Sequence, residues 1–222
     1  MKAKITSLSL RAEFVVVIGL AFGNFILGSI AFVLAHPSTA PITENHLLFL
    51  IIYEPIILLV VYWFLKQRGW KLSDFKLRPS LQSSGYGIFL AVCGYVSFVV
   101  VWIIVSFISP EYLKEISEAP LASNNISLIN IFVVSIINPC FEEILVVGYV
   151  ITSLRQVKGE TYAVNTSVAI RLLYHLYQGP LAVMSIVPLG LIFAYWYSRK
   201  ENLWSVIIAH ALFDFFGLYS YQ

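Results

Sequence analysis

The chain has 222 residues, 59% of them hydrophobic and 12% charged, with a net charge of +2. Soluble domains carry about 25% charged residues, so the composition excludes an ordinary soluble globule. The small net charge excludes a nucleic-acid surface, and no nucleic-acid partner is expected. The two cysteines, Cys93 and Cys140, sit in apolar runs, which excludes a disulfide framework and reads as small buried hydrophobes.

A helix needs about 20 apolar residues to cross a bilayer. Seven segments meet that requirement: 13–35, 46–65, 85–108, 128–151, 162–178, 180–198 and 203–219. Splitting one of them would give eight. No internal repeat is visible. The expected fold class is all-α, a polytopic transmembrane helical bundle of about seven spans, with residues 1–222 forming a single integral membrane domain. Lys2, Lys4 and Arg11 precede the first segment as they would in a secretory leader. Its apolar run is too long for a leader, so it reads as a retained helix.

The basic residues give an orientation. With the N-terminus in the cytoplasm and the segments alternating, the cytoplasmic side holds Lys2, Lys4, Arg11, Lys66, Arg68, Lys71, Lys76, Arg78, Arg155, Lys158, Arg199 and Lys200. That is 12 of the 14 Lys and Arg residues. The bias matches the positive-inside rule and implies a protein of the cytoplasmic membrane, its N-terminus inside and lipid around it. Lys114 falls on the other side, beside Glu111, Glu115 and Glu118, in a stretch that reads as a solvated loop.

The remaining basic residue, Arg171, lies within a predicted helix. So do Glu54, Glu142, Glu143, His175, His210 and Asp214. A charge inside a span costs about 2.5–3.5 kcal/mol on insertion scales and usually marks function. At about 1.5 Å of rise per residue, Glu142 and Glu143 lie about 12–13 Å from the cytoplasmic end, and Arg171 about 14 Å. His210, Asp214 and His175 lie at about 10, 16 and 20 Å. Three helices thus place ionisable groups in one slab, and by depth the site should open toward the cytoplasmic half.

His210 and Asp214, four residues apart, share a face, as do Arg171, His175 and Gln178. Glu142 and Glu143 are about 100° apart around a helix, so one can enter a cavity while the other pairs with a neighbour. Pro139, just before them, removes a backbone donor and should kink the helix. Glu54, before Pro55, reads as structural; Tyr149, Tyr174 and Tyr177 read as packing or interfacial aromatics. A carboxylate balanced between burial and a nearby cation can act as a general base on water. Histidines and an acid from other helices could hold that water, bind a metal or stabilise an oxyanion. Peptide-bond hydrolysis inside the membrane is the chemistry such a set suits. Glu142, His175 and His210 are of the type that ligates zinc, so a zinc cofactor stays open, although no His-Glu-x-x-His pair occurs.

Three motifs carry a resemblance. The double glutamate Glu142-Glu143 is followed by Gly148 and Tyr149, the run RLLYHLYQGP contains His175, and HALFD contains His210 and Asp214. In this order the chain resembles the CPBP intramembrane proteases, which include CAAX prenyl endopeptidases and bacteriocin-processing or immunity proteins. The resemblance spans about 128–219, the expected catalytic core; the first 127 residues share only hydropathy. It implies an intramembrane endopeptidase, with metal dependence open, acting on a membrane-associated peptide or a prenylated protein. The implied catalytic residues are Glu142, Glu143, His175, His210 and Asp214. The family pattern Glu-Glu-x-x-x-Arg has Val147 in place of its arginine, and Arg171 stands where the second motif usually has Phe. Arg171 is therefore expected to supply the missing cation in a supporting role. Two other readings compete: a family member without catalysis, acting in immunity or regulation, and a proton-coupled transporter using the same acids.

Overall fold

The computed structural model describes residues 8–35, 42–118 and 126–220. Lys2 and Lys4 of the basic set lie outside them. The described residues are mostly helical, in α1 Leu10–Ala35, α2 Glu44–Gln67, α3 Leu81–Ile108, α4 Pro110–Glu118, α5 Leu128–Glu142, α6 Val150–Lys158, α7 Glu160–His175, α8 Pro180–Lys200 and α9 Leu203–Tyr219. Five stretches are long and apolar enough to cross a membrane: α1, α2, α3, the continuous run Leu128–Lys158, and α8. Helix α9 is apolar but shorter, and α7 has 16 residues. Each of the seven expected segments is a helix, in an all-α membrane bundle.

Local chemistry sets the boundaries. Thr43 caps α2 by accepting from the backbone N–H of His46 at 3.3 Å, and Ser80 caps α3 through Ser83 at 3.0 Å. Asn202 caps α9 through Ser205 at 3.3 Å. Each supplies an acceptor to a donor that the first turn leaves open. Gly159, at φ 89°, turns the chain from α6 directly into α7, and Gly179, at φ 87°, turns it into α8, where Pro180 occupies the first turn. Arg155 and Lys158 close α6, where cations favour the carbonyl end of the helix.

The stretch from Glu111 to Glu118, expected as a loop, is helix α4 with Leu113 buried. Burial of that leucine ties it down. The kink expected at Pro139 takes another form. The helix stays α-helical through Glu142, widens to a π-helix over Glu143–Tyr149, and resumes as α6. The wide turn leaves backbone carbonyls short of their usual donors, and the Ser167 hydroxyl of α7 donates to the Val146 carbonyl at 2.7 Å. Such widened turns occur often at functional sites.

Helix α5 lies between α2 and α9, α7 between α1, α6 and α8, and α3 runs along α9 and α8. A Cβ on Gly87 would come within 2.6 Å of the Ile208 Cβ, and one on Gly94 within 2.6 Å of Leu189, so these glycines admit the close approach of α3. Phe22 of α1 stacks on Tyr174 of α7 at 4.8 Å and packs against Phe141 of α5 at 5.3 Å. This aromatic wedge forms one wall around the acids.

Candidate active site

The π-helix places the adjacent glutamates in different surroundings. Glu142, at the last α-helical position, lines a cavity of about 500 Å³. Glu143, 0% exposed, faces away from that cavity into the packing between α7 and α9. Glu143 Oε1 accepts from Arg171 Nη2 at 2.6 Å and lies 2.6 Å from His210 Nδ1. Glu143 Oε1 faces Nδ1 and Asp214 Oδ1 faces Nε2, so a doubly protonated His210 has an acceptor at each nitrogen and presents its Nε2–H toward the cavity.

Glu142 is held from three sides. Its Oε2 accepts from the Tyr174 hydroxyl at 2.6 Å and lies 3.5 Å from Arg171 Nη1, while its Oε1 accepts from Asn138 Nδ2 at 3.3 Å. The Nε2 atoms of His175 and His210 stand 3.7 Å and 4.0 Å from the same Oε2, beyond direct hydrogen bonding. Asp214 Oδ1 lies 3.3 Å from His210 Nε2. Glu142, Glu143, His175, His210, Asp214 and Arg171 are thus brought together from α5, the π-helix, α7 and α9. Arg171 spans both glutamates and, 2% exposed, sits over the Phe193 ring at 5.8 Å. Val147 is buried among apolar neighbours.

Three participants did not stand out in the sequence. The Tyr174 hydroxyl, expected to be an aromatic packing group, bonds Glu142 directly. Asn138, four residues before Glu142 and so on its face, bonds both Glu142 and Glu54 Oε1, the latter at 2.8 Å. Glu54, 1% exposed, lines the same cavity and has a second oxygen without a hydrogen-bond partner among the described residues. The i, i+4 spacing of Asn138 was the signal available; Glu54 stood out as a charge inside a span but read as structural, because pairing of α2 with α5 is a tertiary event.

Atoms of Glu142, Glu143 and His210 lie within 4.8 Å of one another, close enough to hold a metal ion. His175, expected among the ligands, is not part of that group. The cavity runs from this cluster past Ser29 and Phe32 of α1, Thr43 and His46 of α2, Gln178, and Leu218 of α9. On every helix these positions lie from the middle outward to the end away from the basic residues. Depth alone had pointed to the cytoplasmic half. That count ended the helix at residue 151, whereas it continues to Lys158 and sets the acids deeper.

Residues 124–216, which contain all three motifs, match the model of the family described as type II CAAX prenyl endopeptidase Rce1-like. That stretch is a domain of this family. The match is consistent with the CPBP proteases and supports an intramembrane protease at family level, in a chain with five helices long and apolar enough to cross a membrane. No curated protein and no solved structure matches the chain.

Proposed function

We propose that the protein is an endopeptidase that hydrolyses a peptide bond of a membrane-associated substrate with water activated by Glu142. The observation carrying this reading is the asymmetry of the glutamates: Glu142 faces a cavity with two imidazole Nε2 atoms 3.7 Å and 4.0 Å from its Oε2, whereas Glu143 is enclosed. A water beside Oε2 and His175 gives a proton to Glu142 while its oxygen bonds to the substrate carbonyl carbon. The carbonyl electron pair moves onto oxygen, and His210, oriented by Glu143 and Asp214, donates a hydrogen bond to that oxyanion. Collapse of the tetrahedral species breaks the C–N bond, and the proton on Glu142 passes to the leaving amine. Asn138 and Tyr174 hold Glu142 in place. Arg171 supplies the positive charge that Val147 cannot. Residues 128–219 form the catalytic core of one integral domain.

The donor set suits a guanidinium better than a dication, because Glu143 Oε1 already takes both Arg171 and His210. Chelation is expected to leave cleavage unchanged.

The test compares membranes from cells producing the wild-type chain or Glu142→Gln, by profiling the new peptide N-termini that appear. Termini present with the wild type and absent with the variant are expected. Identical profiles would favour the non-catalytic, immunity-type reading, for which the loss of the motif arginine at Val147 is the supporting observation.

A further inference from the structure

The charged and hollow parts of the bundle lie at opposite ends. At one end, the loop after α2, the end of α6 and the α8–α9 turn are laced together. Arg68 pairs with Glu13 at 2.7 Å, Arg155 with Glu201 at 2.6 Å, Lys76 with Glu201 at 3.7 Å and Arg199 with Glu160 at 3.0 Å. Every one of these cations belongs to the basic set that the positive-inside rule assigns to the cytoplasm. The carbonyl end of α1, the first turn of α2, the end of α7 and the end of α9 form the other face. Among the described residues, Lys114 is the Lys or Arg on that side.

The cavity belongs wholly to the second face. It begins at Glu142, at the middle of the Leu128–Lys158 run, and its walls rise along α1 and α2 to Gly28 and Thr43, both exposed. Gly28 lies about 10 Å below the end of α1 by helical rise. Asn24, Thr43, His46 and Gln178 along these walls provide polar partners for water, which irregular polar surface at membrane depth requires. A hollow bordered by the charged end, with Arg68, Asp74 and Tyr197 in its wall, contains none of the site residues.

We propose that the active-site cavity is loaded from the extracytoplasmic face, so that the enzyme cuts a segment that its peptide substrate presents outside the membrane or within the outer leaflet. The proposal takes its meaning from the protease reading, but its geometry stands apart from it. A substrate confined to the cytoplasm would have to pass the ion-paired end and the closely packed π-helix, where Gly148 leaves only 3.1 Å between a would-be Cβ and Leu203.

The test uses single cysteines in the full chain with Cys93→Ala and Cys140→Ala. Gly28→Cys lies in the cavity wall, where an added Cβ meets nothing within 4 Å. Thr43→Cys lies at its rim, and Gln156→Cys at the basic end, where Gln156 is exposed. Spheroplasts of a bacterial host are treated with a membrane-impermeant sulfonated maleimide, before and after detergent permeabilisation. The expected result is labelling of Gly28→Cys and Thr43→Cys from outside and of Gln156→Cys only after permeabilisation. The reverse pattern overturns the proposal, as does a Gly28→Cys that resists the reagent in intact cells while reacting in detergent. A fluorescence-detected melting curve shows that each variant is folded before labelling is scored. Labelling needs no cleavage, so the expected pattern alongside an inert wild type would sink the protease reading and leave the sidedness standing.

Discussion

Arg155 bonds Glu201 at 2.6 Å with both side chains about a third exposed; Arg171 bonds Glu143 at the same 2.6 Å with exposures of 3% and 0%. The two pairs look alike on paper and do different work. At the basic end, water screens each charge, and the pairs mark the polar boundary of the bundle while contributing little each. In the interior, every charge needs a partner, because an uncompensated ion away from water costs several kcal/mol. In the interior cluster Glu143 is taken up by Arg171 and His210, and of the two glutamates Glu142 is the one that reaches into a cavity. Equal distances thus say little until exposure is known.

Breaking the interior pair should have the largest effect on stability. Arg171→Leu leaves two buried carboxylates facing each other, and a loss of about 3–5 kcal/mol is expected from a broken buried pair. A melting temperature in detergent close to wild type would contradict the contrast. Adding Glu143→Gln to Arg171→Leu should recover part of the loss, since it removes one orphaned charge. An intermediate case is Glu13, 4% exposed near the basic end, which accepts from Arg68 Nε at 2.7 Å, Trp70 Nε1 at 3.0 Å and the Tyr149 hydroxyl at 3.3 Å. Glu13→Ala should cost about 1.5–3 kcal/mol, the range for hydrogen bonds to a charged group, read by the same melting curve. The smallest change belongs to Glu201→Gln, at about 0–1 kcal/mol. The hydrogen bond from Arg155, with Lys76 nearby, holds the Glu201 carboxyl below its ordinary value. A group whose folded value is depressed adds stability above its unfolded value and loses it as pH falls through the folded one. The difference between wild type and Glu201→Gln should therefore be present at neutral pH and vanish in acid.

Much of this was legible in the sequence. Seven apolar segments, the basic bias and the depth of Glu142, Arg171 and His210 announced a bundle with a shared interior site. The spacing of His210 and Asp214 put them on one face, and adjacency alone argued that the two glutamates must part. What stayed hidden depended on which helices touch. Glu54 joins the site because α2 packs on α5, and the Tyr174 hydroxyl reaches Glu142 because Phe22 wedges its ring in place. Periodicity carries no such information. The π-helix was also unreadable: Pro139 signalled a disturbed ladder, but the choice between a kink and a wide turn rests on Ser167, 21 residues after Val146, satisfying its carbonyl. The depth of the two glutamates was underestimated because it was counted from a helix end placed seven residues too early.

The central claim is a division of labour between neighbouring glutamates, and it is tested most directly by measuring cleavage and melting temperature together for Glu142→Gln and Glu143→Gln. Glu142→Gln should melt close to wild type, since an amide can keep partners at Asn138 and Tyr174, yet lose cleavage by about 10²–10⁴-fold, the usual contribution of a general base. Glu143→Gln should lower the melting temperature, because Arg171 and His210 lose their carboxylate. Cleavage persisting in Glu142→Gln, or a melting penalty falling on Glu142→Gln and sparing Glu143→Gln, would contradict it.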